Sequence, residues 1–255
     1  MRVERLAPSA GWDWARAGFA IFRRQPFAMA TLLLALAFAA TLLLFATPVM
    51  GALLLVVLMP TLTVLIMALG REIESGRPFS PRALAAALGD RAAMLRLVVL
   101  GVAYLAGSSA VLGLSVLLDG GTFLGILQGD PGQAAAPPSD AAVLVSGVLV
   151  TVSVAVMSMA LWYAPVLTAW HGIGPVKALF FSLVAVWRNR WAFAVYLLVM
   201  GALALALQMA IMLINALLPS GVGVFVLAPL IPLAISLVYC SFYPTYTGVF
   251  PDAVR

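Results

Sequence analysis

The chain has very little charge, one cysteine, one histidine, and long stretches with no charged residue at all. Only 9% of its 255 residues are Asp, Glu, Lys or Arg, against about a quarter in ordinary soluble domains. A water-soluble fold of this size could not cover its surface with so few charges, so lipid must be the solvent for most of it. The lone cysteine, Cys240, excludes an intrachain disulfide and leaves the redox compartment unreadable. Set in an apolar run, it reads as a buried, inert thiol. The lone histidine, His171 in "TAWHGIGP", has no cysteine or carboxylate near it in sequence, so it makes no metal site. It reads as a helix-terminal residue hydrogen-bonded to backbone or a headgroup. Glu72 and Glu74 are two apart and do not share a helix face. Salt pairing with Arg71 or Arg77 accounts for them better than acid–base chemistry. No residue is assigned to catalysis, a cofactor or a metal, and the chain carries no soluble catalytic domain.

What is present is apolar. Hydrophobic residues make up 64% of the chain and the mean hydropathy is +1.13. Six runs approach or exceed the roughly 20 residues that a membrane-crossing helix needs. They cover residues 27–46, 52–70, 97–118, 141–163, 191–218 and 222–243, and none contains an internal Asp, Glu, Lys or Arg. "TPVMG" separates the first two and "PSGVG" the last two, both short turns. The runs are too long, and too free of alternation, to be barrel strands. The expected fold is therefore all-α: six transmembrane helices in three hairpins, forming one polytopic domain over residues 1–255.

All 14 basic residues fall before the first run, between the second and third, between the fourth and fifth, or after the sixth. The opposite loops hold only Asp119, Asp130 and Asp140. By the positive-inside rule both termini face the cytoplasm. The basic pI, near 9.9, then reports topology and adhesion to anionic lipid, and requires no nucleic-acid partner.

Before the first run stands "GWDWARAGFAIFRRQP", residues 11–26. On a helical wheel Trp14, Ala15, Gly18, Phe19, Ile21 and Phe22 share one half, with Trp12 at its margin. Asp13, Arg16, Arg23 and Arg24 gather on the other half. This pattern predicts an amphipathic helix lying in the interface, with arginines towards headgroups. It reads as a retained segment, since the apolar run after it is longer than a signal-peptide core. "SPRALAAALGDRAAMLR" from Ser80 and "GPVKALFFSLVAVWRNRWAF" from Gly174 repeat the arrangement of short helix, arginines and span. Three copies of one unit are expected, over residues 11–70, 80–170 and 174–243.

Polar groups within the runs are neutral. Gln208 and Asn215, seven apart on one face, are expected to bond across helices. Gly18, Gly101, Gly107, Gly113, Gly147 and Gly201 are expected to let helices approach closely. Pro60, Pro165, Pro229 and Pro232 should kink or end helices. The lack of an ionisable residue inside the runs argues against a proton-coupled carrier. "FLGIL", in the long loop after the third run, is expected to dip back into the interface.

The chain resembles a family of proteobacterial inner-membrane proteins labelled only as transmembrane proteins. The resemblance rests on "GWDWARAGFAIFRRQPFA", "YAPVLTAWHGIGPVKALFFSLVAVWRNRWAF" and the tail "YCSFYPTYTGVF". It implies fold and location but no activity. More distantly, the unit of proline, apolar helix, arginine and span resembles the membrane domain attached to some glycerophosphodiester phosphodiesterases. Two functions are consistent with these observations. One is a non-enzymatic scaffold or lipid-associated factor, with Arg16, Arg23, Arg24, Arg188 and Arg190 contacting anionic lipid. The other is a small permease for an uncharged or lipid-like solute. Membrane lipids are the expected partners. A homo-oligomer or a membrane-protein partner stays open.

Overall fold

The structure is a computed structural model that describes residues 3–78, 80–128, 139–218 and 222–253; at 127, 222–230 and 253 it describes the backbone alone. It is all-α. In chain order the helices are α1 (Ala10–Arg24), α2 (Pro26–Ala46), α3 (Pro48–Glu74), α4 (Pro81–Ala87), α5 (Arg91–Asp119), the short α6 (Thr122–Gln128), α7 (Asp140–Leu161) and α8 (Ala164–His171). They continue with α9 (Pro175–Arg188), α10 (Arg190–Leu217), α11 (Val222–Cys240) and α12 (Phe242–Val249), and a 3₁₀ turn, Pro251–Ala253, follows.

The turns follow from local chemistry. Gln25 alone links α1 to α2, and Asn189 alone links α9 to α10. Pro26 and Pro48 stand at helix starts, where the missing N–H costs nothing. Asp90 caps α5 by accepting from Ala93 N at 2.8 Å, and Ser80 caps α4 from Ala83 N. Asp119 serves the next turn: its carboxylate oxygens accept from Gly121 N and Phe123 N, both at 2.9 Å, as the chain enters α6. "FLGIL" is thus part of a short helix, and its Phe123 packs against Gly147 of α7.

Five helical segments among the described residues are long and apolar enough to cross a membrane: α2, α3, α5, the α7–α8 stretch and α10. The sixth run falls on α11, part of which lies outside the described side chains, as does the expected kink at Pro229. Pro60 does not end α3, which continues through it to Glu74. Pro165 and Pro244 act differently. α7 stops at Leu161 and α11 at Cys240, each four residues before its proline, the position whose carbonyl a proline ring would strike. At the first break Ser182 of α9 restores the lost bonding: Tyr163 N donates to its Oγ at 2.9 Å, and that Oγ donates to Met159 O at 2.8 Å.

One pattern recurs at these places. Residues 60–63, 165–168 and 244–247 each run from proline to threonine with two residues between, and all three prolines are buried. The first two segments line a common cavity together with Phe242, two residues before Pro244.

The buried core lies at the arginine-rich end. It draws on the starts of α2, α5 and α10, the ends of α3 and α7, and all of α8 and α12. The far halves of the long helices are mostly exposed in the isolated chain, as expected of surfaces whose solvent is lipid. At that end Ser146 Oγ bonds Ser115 O at 3.3 Å, tying α7 to α5.

Candidate functional site: an aromatic layer with an arginine rim

The three stretches "GWDW", "YAPVLTAWH" and "FYPTYTGVF" are far apart in sequence and meet in space. Trp14 of α1 stacks tilted on Phe193 at 5.2 Å between centroids and lies edge-on to Tyr196. Trp162 meets Phe193 edge-on at 5.5 Å and Phe242 at 5.1 Å. Tyr163, fully buried, meets Phe250 edge-on at 5.3 Å. Such offset and edge contacts suit ring quadrupoles and add to the area the rings bury. The polar tips of Trp162, Tyr163 and Tyr196 find partners inside the layer. Trp162 Nε1 donates to Thr245 Oγ1 at 3.2 Å, and Tyr163 OH donates to Thr245 O at 3.0 Å. Tyr196 OH and Ser241 Oγ share a bond of 2.6 Å.

Among the described residues the partner seen for His171 is a side chain, not backbone. Its Nε2 shares a hydrogen bond of 2.5 Å with the hydroxyl of Tyr246. Burial raises the Tyr246 hydroxyl above the ordinary tyrosine value, so it stays neutral. The pair is a structural clasp between α8 and α12. Among the described residues no three of His, Cys, Asp and Glu lie together to hold a metal.

Around the layer runs a rim of cations on aromatic faces. Arg71 lies 4.4 Å over the Trp170 ring, and its Nε is buried with no hydrogen-bond partner. Arg190 lies 5.6 Å from the Trp187 centroid and 5.7 Å from that of Trp191; Arg23 lies 5.9 Å over Phe19. Trp187 and Trp191 are 63% and 64% exposed, as interfacial anchors are. Such stacks bring ~0.5–1 kcal/mol when exposed. Arg16, Arg23 and Arg24 are exposed on α1, and Arg188 and Arg190 are exposed at the α9–α10 corner. Arg24 also donates to Glu74 O. Glu72 pairs with Arg77 through two bonds, of 2.6 and 2.9 Å, and this pairing raises the Arg77 pKa further. Arg71 is not the partner of Glu72; it goes to Trp170.

Two expectations change. α1 is not simply laid in the interface. Gly11, Trp14, Gly18 and Ile21 face protein, while Trp12 and Phe19 face outward beside Arg16. A wheel separates polar from apolar but cannot tell a protein-facing ring from a lipid-facing one. Gln208 and Asn215 also behave differently: both are exposed on the far half of α10, and no bond to another helix is seen for either among the described residues. Asn215 lies in the last turn of its helix, where the membrane interface can hydrate an amide.

Several open grooves flank the layer. One, of about 220 Å³, lies among Pro60, Thr63, Tyr104, Trp162, Pro165 and Phe242. Two more run between α5 and α7, and both include Tyr104, Ser153 and Met157. A fourth, of about 560 Å³, lies between α1, α10 and α11.

Asn189 carries a role that sequence reasoning missed. Only 2% exposed, its Nδ2 donates to Glu4 O at 2.9 Å and its Oδ1 accepts from Leu6 N at 2.8 Å. In sequence it is a polar residue between Arg188 and Arg190. No sequence signal marked the partners, which lie more than 180 residues away.

The chain is similar to a probable inner membrane protein of Burkholderia thailandensis, with 37% identity over 259 residues, 98% of this chain and 94% of that protein. No protein-family model matches it, and no solved structure does. The chain belongs to the family of that relative and is a multi-pass inner-membrane protein.

Proposed function

We propose that this family member is a six-span protein with both ends in the cytoplasm, and that it acts without catalysis as a lipid-associated scaffold through its arginine and aromatic rim. The observation that carries the reading is the rim itself: Arg23 and Arg190 rest on exposed aromatic rings at one end of the bundle. That geometry presents guanidinium groups to headgroups while the rings sit at the hydrocarbon boundary. α11 supports the sixth span, since its 19 residues reach about 28 Å. The three-unit organisation is supported by the proline-to-threonine pattern, which falls near the end of the first two units and directly after the third. The likeness to the membrane domain attached to some glycerophosphodiester phosphodiesterases fits as well, because it concerns a membrane domain alone. The permease reading is supported by the Tyr104 grooves, whose hydroxyls at Ser108, Ser153 and Ser158 could contact an uncharged solute.

The orientation is tested by impermeant thiol labelling of intact cells. A cysteine at Gly132 is expected to react and one at Pro78 is not; native Cys240 is buried and stays silent. The reverse labelling would refute the two-ends-in topology. The rim is tested with Arg23, Arg188 and Arg190 all replaced by Gln. Each arginine near an anionic surface contributes ~1 kcal/mol, so the variant is expected to co-purify several-fold less phosphatidylglycerol relative to phosphatidylethanolamine. An unchanged ratio would remove the lipid reading and leave the permease.

A further inference from the structure

The groove of about 560 Å³ has a composition that the others lack. Its wall on α1 is Trp12, Ala15, Arg16 and Phe19, one stripe at helical spacing. Its other wall is Val199, Met200 and Leu203 of α10, with Leu237 of α11. Among the described residues Arg16 is the one charged residue lining it. Among the described residues the one ion pair is Arg77 with Glu72, and no hydrogen bond of the Arg16 side chain is seen. Among the described residues, then, a cation without a protein partner stands over an apolar trough. Trp12 and Phe19, each about half exposed, flank it. The trough leads away from the rim, since Val199 to Leu203 lie about three turns along α10 from Arg190. Its volume falls in the range of ligand sites.

We propose that this groove is a specific site for one anionic phospholipid, with the phosphate on Arg16 and an acyl chain against Val199, Met200, Leu203 and Leu237. The inference rests on the reading of the rim as a lipid surface, and it adds a discrete, saturable site to a diffuse one. Charge complementarity selects the occupant. The groove offers one cation at its edge and hydrocarbon below, which matches a phosphodiester carrying an acyl chain. A second copy of this chain would have to bring an acidic group into the apolar stretch, and the apolar runs contain none. Trp12 at one flank would lie near the glycerol level, where tryptophan is favoured.

The test uses the full-length protein in nanodiscs of phosphatidylcholine with a minor fraction of phosphatidylglycerol, released from lipid and weighed by native mass spectrometry. Wild type is expected to keep one phosphatidylglycerol per chain after bulk lipid is stripped. Arg16→Gln, on an exposed face, is expected to reduce that occupancy at least tenfold. Leu203→Trp, which fills the trough without touching charge, should reduce it similarly. Arg82→Gln, on exposed α4, should not. Quenching of Trp12 by brominated phosphatidylglycerol, measured with the other five tryptophans replaced, should saturate at one lipid. Retention in Arg16→Gln or Leu203→Trp that equals that of wild type overturns the proposal, as does retention of phosphatidylcholine equal to that of phosphatidylglycerol. A dimer that Leu203→Trp dissolves would assign the groove to a second copy instead. The triple Arg23, Arg188 and Arg190 variant separates the two levels: it should shed bulk anionic lipid and still keep the single tight one. If it sheds bulk lipid while Arg16→Gln keeps the tight one, the groove site fails and the rim reading stands.

Discussion

Gly101→Leu is expected to abolish a monodisperse, folded protein in detergent, and Gly101→Ala to lower its thermal midpoint clearly. A Cβ built on Gly101 would run into the carbonyl oxygen of Val57 and lie 2.8 Å from its Cα. The obstacle is backbone on α3, so no rotamer change can relieve it, and the two helices must part. α3 and α5 pack closely in the fold, and association in lipid depends on such packing, because hydrocarbon offers no hydrophobic drive. Overpacking of this kind costs ~1–3 kcal/mol, and more where backbone must move. Gly201 provides the internal comparison. It lies exposed on α10 with nothing within 4 Å of its Cβ position. Gly201→Ala should be neutral or slightly stabilising, by ~0.5–1 kcal/mol. Equal shifts in the midpoint for Gly101→Ala and Gly201→Ala would show that the α3–α5 approach is not as close as the structure has it.

Asn189→Leu should produce the next largest effect and a distinctive one. The buried amide holds three groups: Leu6 N, Glu4 O and, at 3.0 Å, Ala185 O. Leucine leaves the first two without partners, and each orphaned buried group costs ~1–3 kcal/mol. The segment before α1 should then come away from the α9–α10 corner. It is also tied by Glu4 N to Val249 O at 3.1 Å, so release should loosen α12 too. Limited trypsin digestion reads the outcome at Arg5, which is exposed. Cleavage there should accelerate several-fold, with a falling midpoint. Asn189→Asp keeps the acceptor for Leu6 N and loses the donor to Glu4 O, so it should fall between. Arg188→Gln and Arg190→Gln, on exposed neighbours, should stay within ~0.5 kcal/mol of wild type. If Asn189→Leu digests like wild type, the amide is not what anchors the N-terminal segment.

These two residues show what could and could not be read in advance. Gly101 was one of six glycines assigned to helix contacts. The structure divides them: a Cβ added to Gly18 or Gly101 would lie under 3 Å from backbone or a neighbouring Cβ. One added to Gly107 or Gly147 would lie 3.1 Å from a flexible or ring carbon, and one on Gly113 or Gly201 would meet nothing within 4 Å among the described residues. A small residue is legible in a sequence, but its neighbour is not. Gln208 and Asn215 share a face, as their spacing requires, yet that face looks outward. Trp14 and Phe19 belong to one apolar half of α1, but Trp14 enters the aromatic layer and Phe19 does not. His171, expected to bond backbone or a headgroup, bonds a side chain 75 residues away.

By itself the sequence determined the solvent, the class of fold, the apolar runs, and the clustering of every basic residue in alternate connections. Each of these rests on a property of one segment: its length against the bilayer, its charge, its helical period. Tertiary structure alone decided which faces pack. That includes the convergence of "GWDW", "YAPVLTAWH" and "FYPTYTGVF" into one layer, the role of Ser182 at the Pro165 break, the service of Asn189 to the N-terminal segment, and the groove beside Arg16. The physical reason is that lipid chains are as apolar as leucine. In water, burial sorts hydrophobic from polar and leaves a pattern in the sequence. In a membrane, a leucine against lipid and a leucine against a helix carry the same signature, and only the assembled backbone separates them.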